Sequence, residues 1–159
     1  KPQQLPMQIR RNRFDIWQFQ TVVSRRLLVW AGLNVTTGLW LQQHRDKFWR
    51  GYAMQAISWG AINAGIALIG MAATRFRKSR KPRPYARDVV AKEERNLSRA
   101  LWITAGLDVY YVIGGVLLAK TRGKGYRLMQ GIGWGFVMQG FFLFAFDIIH
   151  ALLMRDENR

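Results

Sequence analysis

Two carboxylates and one histidine stand in surroundings that are otherwise apolar. Asp108 is the sole charge between Ala100 and Ala119, and Asp147 the sole charge between Leu128 and Met154, with His150 three places further on. An ionisable side chain at the centre of a lipid-spanning helix costs on the order of 2.5 to 3.5 kcal/mol, so each needs a reason to be there. For Asp108 one reason is a proton or cation site assisted by Asn34 and Asn63. The other is a protonated or hydrogen-bonded carboxyl that locks helix register, with Tyr111 or Asn34 as donor. Thr104, Tyr111 and Gly115 share the helix face of Asp108, and Thr37 and Gly38 share that of Asn34. The register lock is preferred, because a lone carboxylate makes a poor relay. Asp147 and His150 are neighbours on one helical face. They read either as a local pair, Asp147 bound to His150 or to one of Arg25, Arg26 and Arg99, or as a pigment site. In the pigment site His150 is the axial ligand of a haem or chlorophyll-type macrocycle and Asp147 orients it through the second ring nitrogen.

Other chemistry is poorly provided for. There is no cysteine, which removes disulfides, thiolate metal sites and thiol nucleophiles. The second histidine, His44, belongs to the opposite loop, so one chain cannot ligate a haem through two histidines. A metal centre of three or four ligands finds too few His and Glu in the apolar runs. No Ser, His and acid set occurs there, and "GKGYR" lacks the spacing of a phosphate-binding loop. The chain is therefore expected to be neither an enzyme nor a metalloprotein.

The elements that must position these residues follow from where charge is missing. Leu27 to Gln43 carries none over 17 residues and Gly51 to Thr74 none over 24; with the two runs already described, this makes four. A hydrocarbon core about 30 Å thick takes about 20 helical residues. Four helices apolar on all sides need more chain around them than 159 residues supply if water is the solvent. The fold class expected is all-α: an integral membrane four-helix bundle of two tandem transmembrane hairpins. Residues 1–26 read as a basic segment in which Phe14, Trp17, Val22 and Val23 mark either an amphipathic interfacial helix or a helical extension of the first span. Residues 27–73 form hairpin 1, 74–96 a basic linker with two prolines, and 97–154 hairpin 2.

Charge sets the orientation. With four spans, the N-terminal segment, the 75–99 connection and the C-terminus share one side and hold 18 of the 25 Lys and Arg. The positive-inside rule places that side, and both termini, in the cytoplasm. Anionic lipid head groups are sufficient partners for a net charge of +16, and no nucleic acid is required.

The chain also repeats itself. "MQAISWGAINAG" (Met54 to Gly65) returns as "MQGIGWGFVMQG" (Met129 to Gly140), and "SRRLLVWAGLNV" (Ser24 to Val35) as "SRALWITAGLDV" (Ser98 to Val109). The unit is a two-helix hairpin, and the halves relate by rotation about the membrane normal. Within the phrases Ala56, Gly60 and Ala64 match Gly131, Gly135 and Gln139 as ridges at four-residue spacing. Small residues let helix backbones approach in lipid, so both ridges are expected to pack against neighbouring helices in equivalent roles. The tryptophans Trp59 and Trp134 fall on a different face, as packing residues or as pigment or lipid contacts, packing being preferred.

The segments "AGLDVYYVIGGVLL" and "GYRLMQGIGWGFVMQGFFLFAFDIIH" resemble an uncharacterised family of small bacterial four-span membrane proteins carrying Gly-Leu-Asp-Val-x-Tyr, Gly-Trp-Gly, Gln-Gly and Phe-Asp. The resemblance covers Ala105 to His150 and includes Asp108, Tyr111, Trp134, Gln139, Gly140 and Asp147. It implies bacterial origin and a membrane fold and brings no activity, and the expected location is the bacterial inner membrane; the first half matches less well, with Asn34 where the aspartate stands. The leading functional expectation is a non-catalytic accessory or assembly subunit whose partners are other membrane protein subunits, in a larger complex of the respiratory or photosynthetic kind. The second is a small proton- or cation-coupled transporter or channel using Asp108 and Asn34, and the third a pigment-binding subunit using His150.

Overall fold

Asp15 opens the first helix: its carboxylate accepts from the backbone N–H of Trp17 at 2.9 Å and of Gln18 at 3.2 Å, satisfying donors that a helix start leaves unpaired. The structure, a computed structural model, describes residues 15–157. Helix α1 (Ile16–Leu41) then runs without a break. Residues 16–26 are thus the first turns of α1 and not a separate helix, which decides for the helical extension; Phe14 and the arginines before it lie outside the described residues. A short turn and a second aspartate cap, Asp46 accepting from Phe48 N–H at 2.9 Å, start α2 (Lys47–Ser79). Pro82 and Pro84 cannot continue a helix, and a turn leads to α3 (Arg87–Lys120). The linker expected over 74–96 therefore shrinks to a connection of a few residues, its flanks being helix. Gly125, at φ +94°, supplies the left-handed conformation that turns the chain into α4 (Arg127–Glu157).

All elements are helical, and among the described residues there is no strand. Three helices, α2, α3 and the Arg127–Arg155 part of α4, are long and apolar enough to cross a membrane. Helix α1 is not among them, since its charge-free run is short and interrupted by Asn34, Thr36 and Thr37. At 1.5 Å per residue α2 and α3 are about 50 Å long. Each extends well beyond a hydrocarbon core, so their basic inner turns can stand in the head groups and in water.

Helix α1 packs along α2, α3 along α4, and α2 along α4. Small residues fill the first seam. Ala53, Ala56, Gly60, Asn63 and Ala67 are buried on α2 at alternating three- and four-residue steps, with Thr74 seven further on, the rhythm of a left-handed bundle. A Cβ on Gly60 would sit 2.9 Å from the Ala31 carbonyl oxygen, and one on Gly38 3.0 Å from that of Ala53. In the second seam Gly115 and Gly133 face each other, and Gly140 packs on the backbone at Asp108.

The ends of the bundle are closed differently. At the end expected to be cytoplasmic, Ile16, Trp17 and Met154 form a buried cluster against Phe19, Val89, Val90 and Leu97. Trp17 Nε1 donates to the Pro84 carbonyl at 3.0 Å, tying α1 to the turn before α3. At the other end backbones touch: Gly51 lies on Leu128 and Gly131 on Phe48, each so close that a Cβ would collide with a carbonyl.

Candidate functional site: a column of buried polar side chains

The polar residues that lipid would reject are turned inward. Asn34, Asn63, Asp108, Gln139, Asp147 and His150 are all buried. Asn34, Asn63, Asp108 and Gln139 come from four different helices and lie near the middle of their apolar runs.

The middle layer is a closed ring of hydrogen bonds between α1 and α4. Trp30 Nε1 donates to Gln139 Oε1 at 3.1 Å, Gln139 Nε2 donates to Asn34 Oδ1, and Asn34 Nδ2 donates to the Trp30 carbonyl at 2.9 Å. The Trp30 ring also stacks on Phe142, centroids 3.5 Å apart. These contacts hold α1 to α4 where the helix backbones themselves stay apart. Asn34 is thereby committed and does not donate to Asp108. Tyr111 does not either: its ring lies parallel to Phe136 and edge-on to Trp59, 5.0 Å away, and the residue is exposed. The aspartate is left with Oδ2 buried and without a partner, although the residue is only 4% exposed. Asn63, 1% exposed, has an unpartnered Nδ2. A buried polar atom without a hydrogen bond costs about 1 to 3 kcal/mol, so Asp108 Oδ2 needs a proton, a water or a cation and Asn63 Nδ2 needs an acceptor such as a water oxygen.

One layer further in, Asp147 of α4 lies within hydrogen-bond reach of Thr104, one helical turn before Asp108 on α3, a placement that sequence reading missed. Asp147 does not pair with His150. His150 Nδ1 bonds the Phe146 carbonyl at 2.7 Å, one helical turn back, and Arg26 Nη1 lies 3.1 Å from Nε2. A carbonyl can only accept and a guanidinium only donate, so the proton sits on Nδ1 and the lone pair of Nε2 faces Arg26. With both nitrogens engaged, ligation of a pigment would require Arg26 to leave, and the orienting group is a carbonyl in place of Asp147.

The innermost layer joins three helices through Gln20. Its Oε1 accepts from Thr74 Oγ1 at 2.9 Å and Arg77 Nη2 at 3.0 Å, and its Nε2 donates to Glu93 Oε2 at 3.3 Å. Arg77 closes the network on Glu93 at 3.3 Å. This layer borders a cavity of about 350 Å³ lined also by Ser24, Asn96 and Ala100. Sequence reading did not find it, because its members come from the N-terminal segment and from the stretch taken as linker. The available signal was Gln20 between Trp17 and Ser24 at bundle spacing. Among the described residues no three His, Asp or Glu gather in a way that could hold a metal ion.

The ridge residues do not play equivalent parts. Gly60 receives α1, whereas its counterpart Gly135 meets the Gln55 side chain of α2, and Gly131 meets α2 as well. Ala56 is buried and Ala64 half-buried, while Gln139 is a hydrogen-bonding member of the ring. Neither a curated protein nor a solved structure shows significant similarity to the chain. The family model that does match covers residues 26–148, parts of all four helices and not only the second half, though neither Gln20 nor His150, and the chain belongs to that family, a family of unknown function (DUF6992).

Proposed function

We propose that the chain is a four-span protein of the bacterial inner membrane, built of two tandem hairpins with both termini cytoplasmic, and that it acts without catalysis as an accessory subunit of a larger membrane assembly. Support for α1 as the fourth span comes from its outward face. Val29, Leu33, Leu39 and Trp40 are exposed and apolar while Asn34 is turned in, a pattern that suits lipid and not water. The charge distribution supports the orientation.

The observation that carries the subunit reading is a set of unused glycines. Gly32, Gly65, Gly106 and Gly114 have no atom within 4 Å of where a Cβ would stand, while other glycines build the seams of the bundle. Glycine within a helix costs roughly 1 kcal/mol against alanine, and in lipid its return comes from close helix packing. Gly32 and Gly106 are counterparts in the repeat, and on α3 Gly106 and Gly114 flank Tyr110, 73% exposed, with Trp102 one turn before. These are notches and anchors for helices of other subunits. Gentle extraction from the native membrane, followed by mass spectrometry of what travels with the chain, tests this. Gly106→Leu with Gly114→Leu should release the partners and leave the bundle folded; partners retained by that variant, or none found with the native chain, rule the reading out.

A second reading is favoured by one observation, the buried and unpartnered Asp108 Oδ2, with Asp147 reaching Thr104 one turn before it on α3. Two buried carboxyls in a membrane interior suit a proton or a monovalent cation. Asp108→Asn would abolish a pH-driven flux in proteoliposomes while leaving partner co-purification intact. A native chain that carries no flux excludes this reading.

A further inference from the structure

At the end of the bundle opposite the Trp17 cluster, a groove of about 700 Å³ opens between the start of α2 and the turn into α4. Lys47, Arg50 and Arg127 stand on its wall, and Met54, Leu128 and Met129 form its apolar side. The charges are not balanced. The single acid of the 42–50 and 120–129 stretches is Asp46, and it is taken: Arg127 Nε donates to Oδ1 at 2.9 Å, and Phe48 N–H donates to the same oxygen. Arg127 and the cap hold the Asp46 carboxyl below the usual carboxylate range, so it stays ionised and committed. Among the described residues no ion pair involves Lys47 or Arg50. They sit three apart, on one face of α2, where like charges repel unless an anion lies between them.

We infer that this groove binds a phosphate-bearing anionic lipid, with its phosphate on Lys47 and Arg50 and its acyl chains along Met54, Leu128 and Met129. The depth is right for such a ligand. Lys47 and Arg50 end immediately before the charge-free run that begins at Gly51, and Leu128 opens the corresponding run of α4. Cations therefore stand at head-group level and the methionines beneath it. A free phosphate ion would satisfy the cations and leave the apolar side exposed; a lipid covers both. Methionine's unbranched, polarisable side chain adapts to an acyl chain of no fixed shape. The inner cavity near Gln20 is a poorer candidate, because Arg77 is already neutralised by Glu93. The site is distinct from a diffuse attraction between the basic cytoplasmic turns and the membrane, since it lies on the less basic side.

The inference rests on the membrane reading, which carbonate extraction of native membranes tests separately: a chain released by carbonate overturns that reading, and the lipid measurement is made only on a chain that stays. The detergent-solubilised full chain is titrated with phosphatidylglycerol, phosphatidylcholine or inorganic phosphate, with binding read by native mass spectrometry and by thermal shift. Phosphatidylglycerol should bind and raise the melting temperature, and phosphatidylcholine and inorganic phosphate should do so far less. Lys47→Gln with Arg50→Gln should weaken phosphatidylglycerol roughly 5-fold per cation removed, about 25-fold together. Lys81→Gln with Arg83→Gln at the other end should leave it unchanged. Both variants spare the Asp46–Arg127 pair, so each should melt like the native chain without lipid. Equal binding by the Lys47/Arg50 variant, an equal loss in the Lys81/Arg83 variant, or equal protection by inorganic phosphate would overturn the inference.

Discussion

In the first half of the chain α2 meets α1 through Ala53, Ile57 and Gly60; in the second half α4 meets α3 through Gly133, Phe136 and Gly140. Shifted by the 75 residues that separate the repeated phrases, the second set would be 58, 61 and 65, another face of the helix. The counterparts of Ala56 and Gly60, Gly131 and Gly135, turn to α2. The repeat keeps two helices in each half, though α1 has 26 residues where α3 has 34, and it does not keep the use of their faces. The reason is positional. One hairpin laid beside another needs a joint, and the joint falls on α4, which touches α3 and α2 by backbone and α1 through Trp30, Phe142 and Gln139. A helix with three neighbours needs small residues on two faces. The second phrase accordingly reads Gly131 where the first has Ala56, and Gly133 where the first has Ser58.

The largest effect that would break this contrast is at the joint. A methyl group at Gly131 would run into the Phe48 carbonyl, part of a helix backbone that cannot rotate away. Gly131→Ala should therefore cost more than the usual 1 to 3 kcal/mol of overpacking, measured by steric trapping or denaturant unfolding in micelles, and it should separate the hairpins. At the counterpart position Ala56→Gly removes a methyl and should cost about 1 kcal/mol, chiefly in helix propensity. Similar losses at the two positions would mean that the ridges serve one purpose after all.

An intermediate effect is expected at Gln139, which stands where the first half has Ala64. Gln139→Leu keeps the volume and removes both the acceptor for Trp30 Nε1 and the donor to Asn34 Oδ1. In a membrane interior such bonds are worth about 0.6 kcal/mol each, up to 1 to 2, so a loss of about 1 to 2 kcal/mol is expected, located between α1 and α4. Ala64→Gln, which copies the second half into the first at a half-buried position, should change stability by no more than about 0.5 kcal/mol. A gain as large as the Gln139 loss would show a second acceptor layer on α2.

The unequal hairpins also explain what could be read from sequence. The charge-free runs of α2, α3 and α4 were legible because the length and apolar composition needed to cross a membrane constrain every residue of such a run. Inward placement of Asn34 and Asp108 followed from the cost of exposing them. Partners were not legible. Gln20 and Glu93 meet across 73 positions, and Arg26 chose His150 where Asp147 was equally near in count. Such choices depend on helix rotation by a fraction of a turn, which repeat spacing does not encode. Helix ends were missed for a related reason. The charged turns before the apolar run of α1 stay helical because Asp15 caps them locally and Trp17 fastens them to Pro84, and the second contact exists only after the bundle has closed.

The smallest expected effect sharpens the comparison at the exposed end, where Asp46 of hairpin 1 binds Arg127 of hairpin 2. Both side chains are solvent-exposed, and exposed ion pairs contribute little to stability. The pair still leaves a signature in pH. Arg127 and the Phe48 N–H hold the Asp46 carboxyl below its ordinary value, the side-chain bond to Arg127 being the larger cause. A carboxyl lowered in the folded state binds fewer protons there than in the unfolded chain, so its contribution is complete above the ordinary range, near pH 4, and disappears as pH falls through the lowered value. Arg127→Gln should therefore melt slightly below the native chain at neutral pH, with the difference vanishing in acid and in high salt. A difference that persists unchanged well below pH 3 would assign the effect of Arg127 to packing against the turn and would leave the two hairpins joined at this end by Gly51 and Gly131 alone.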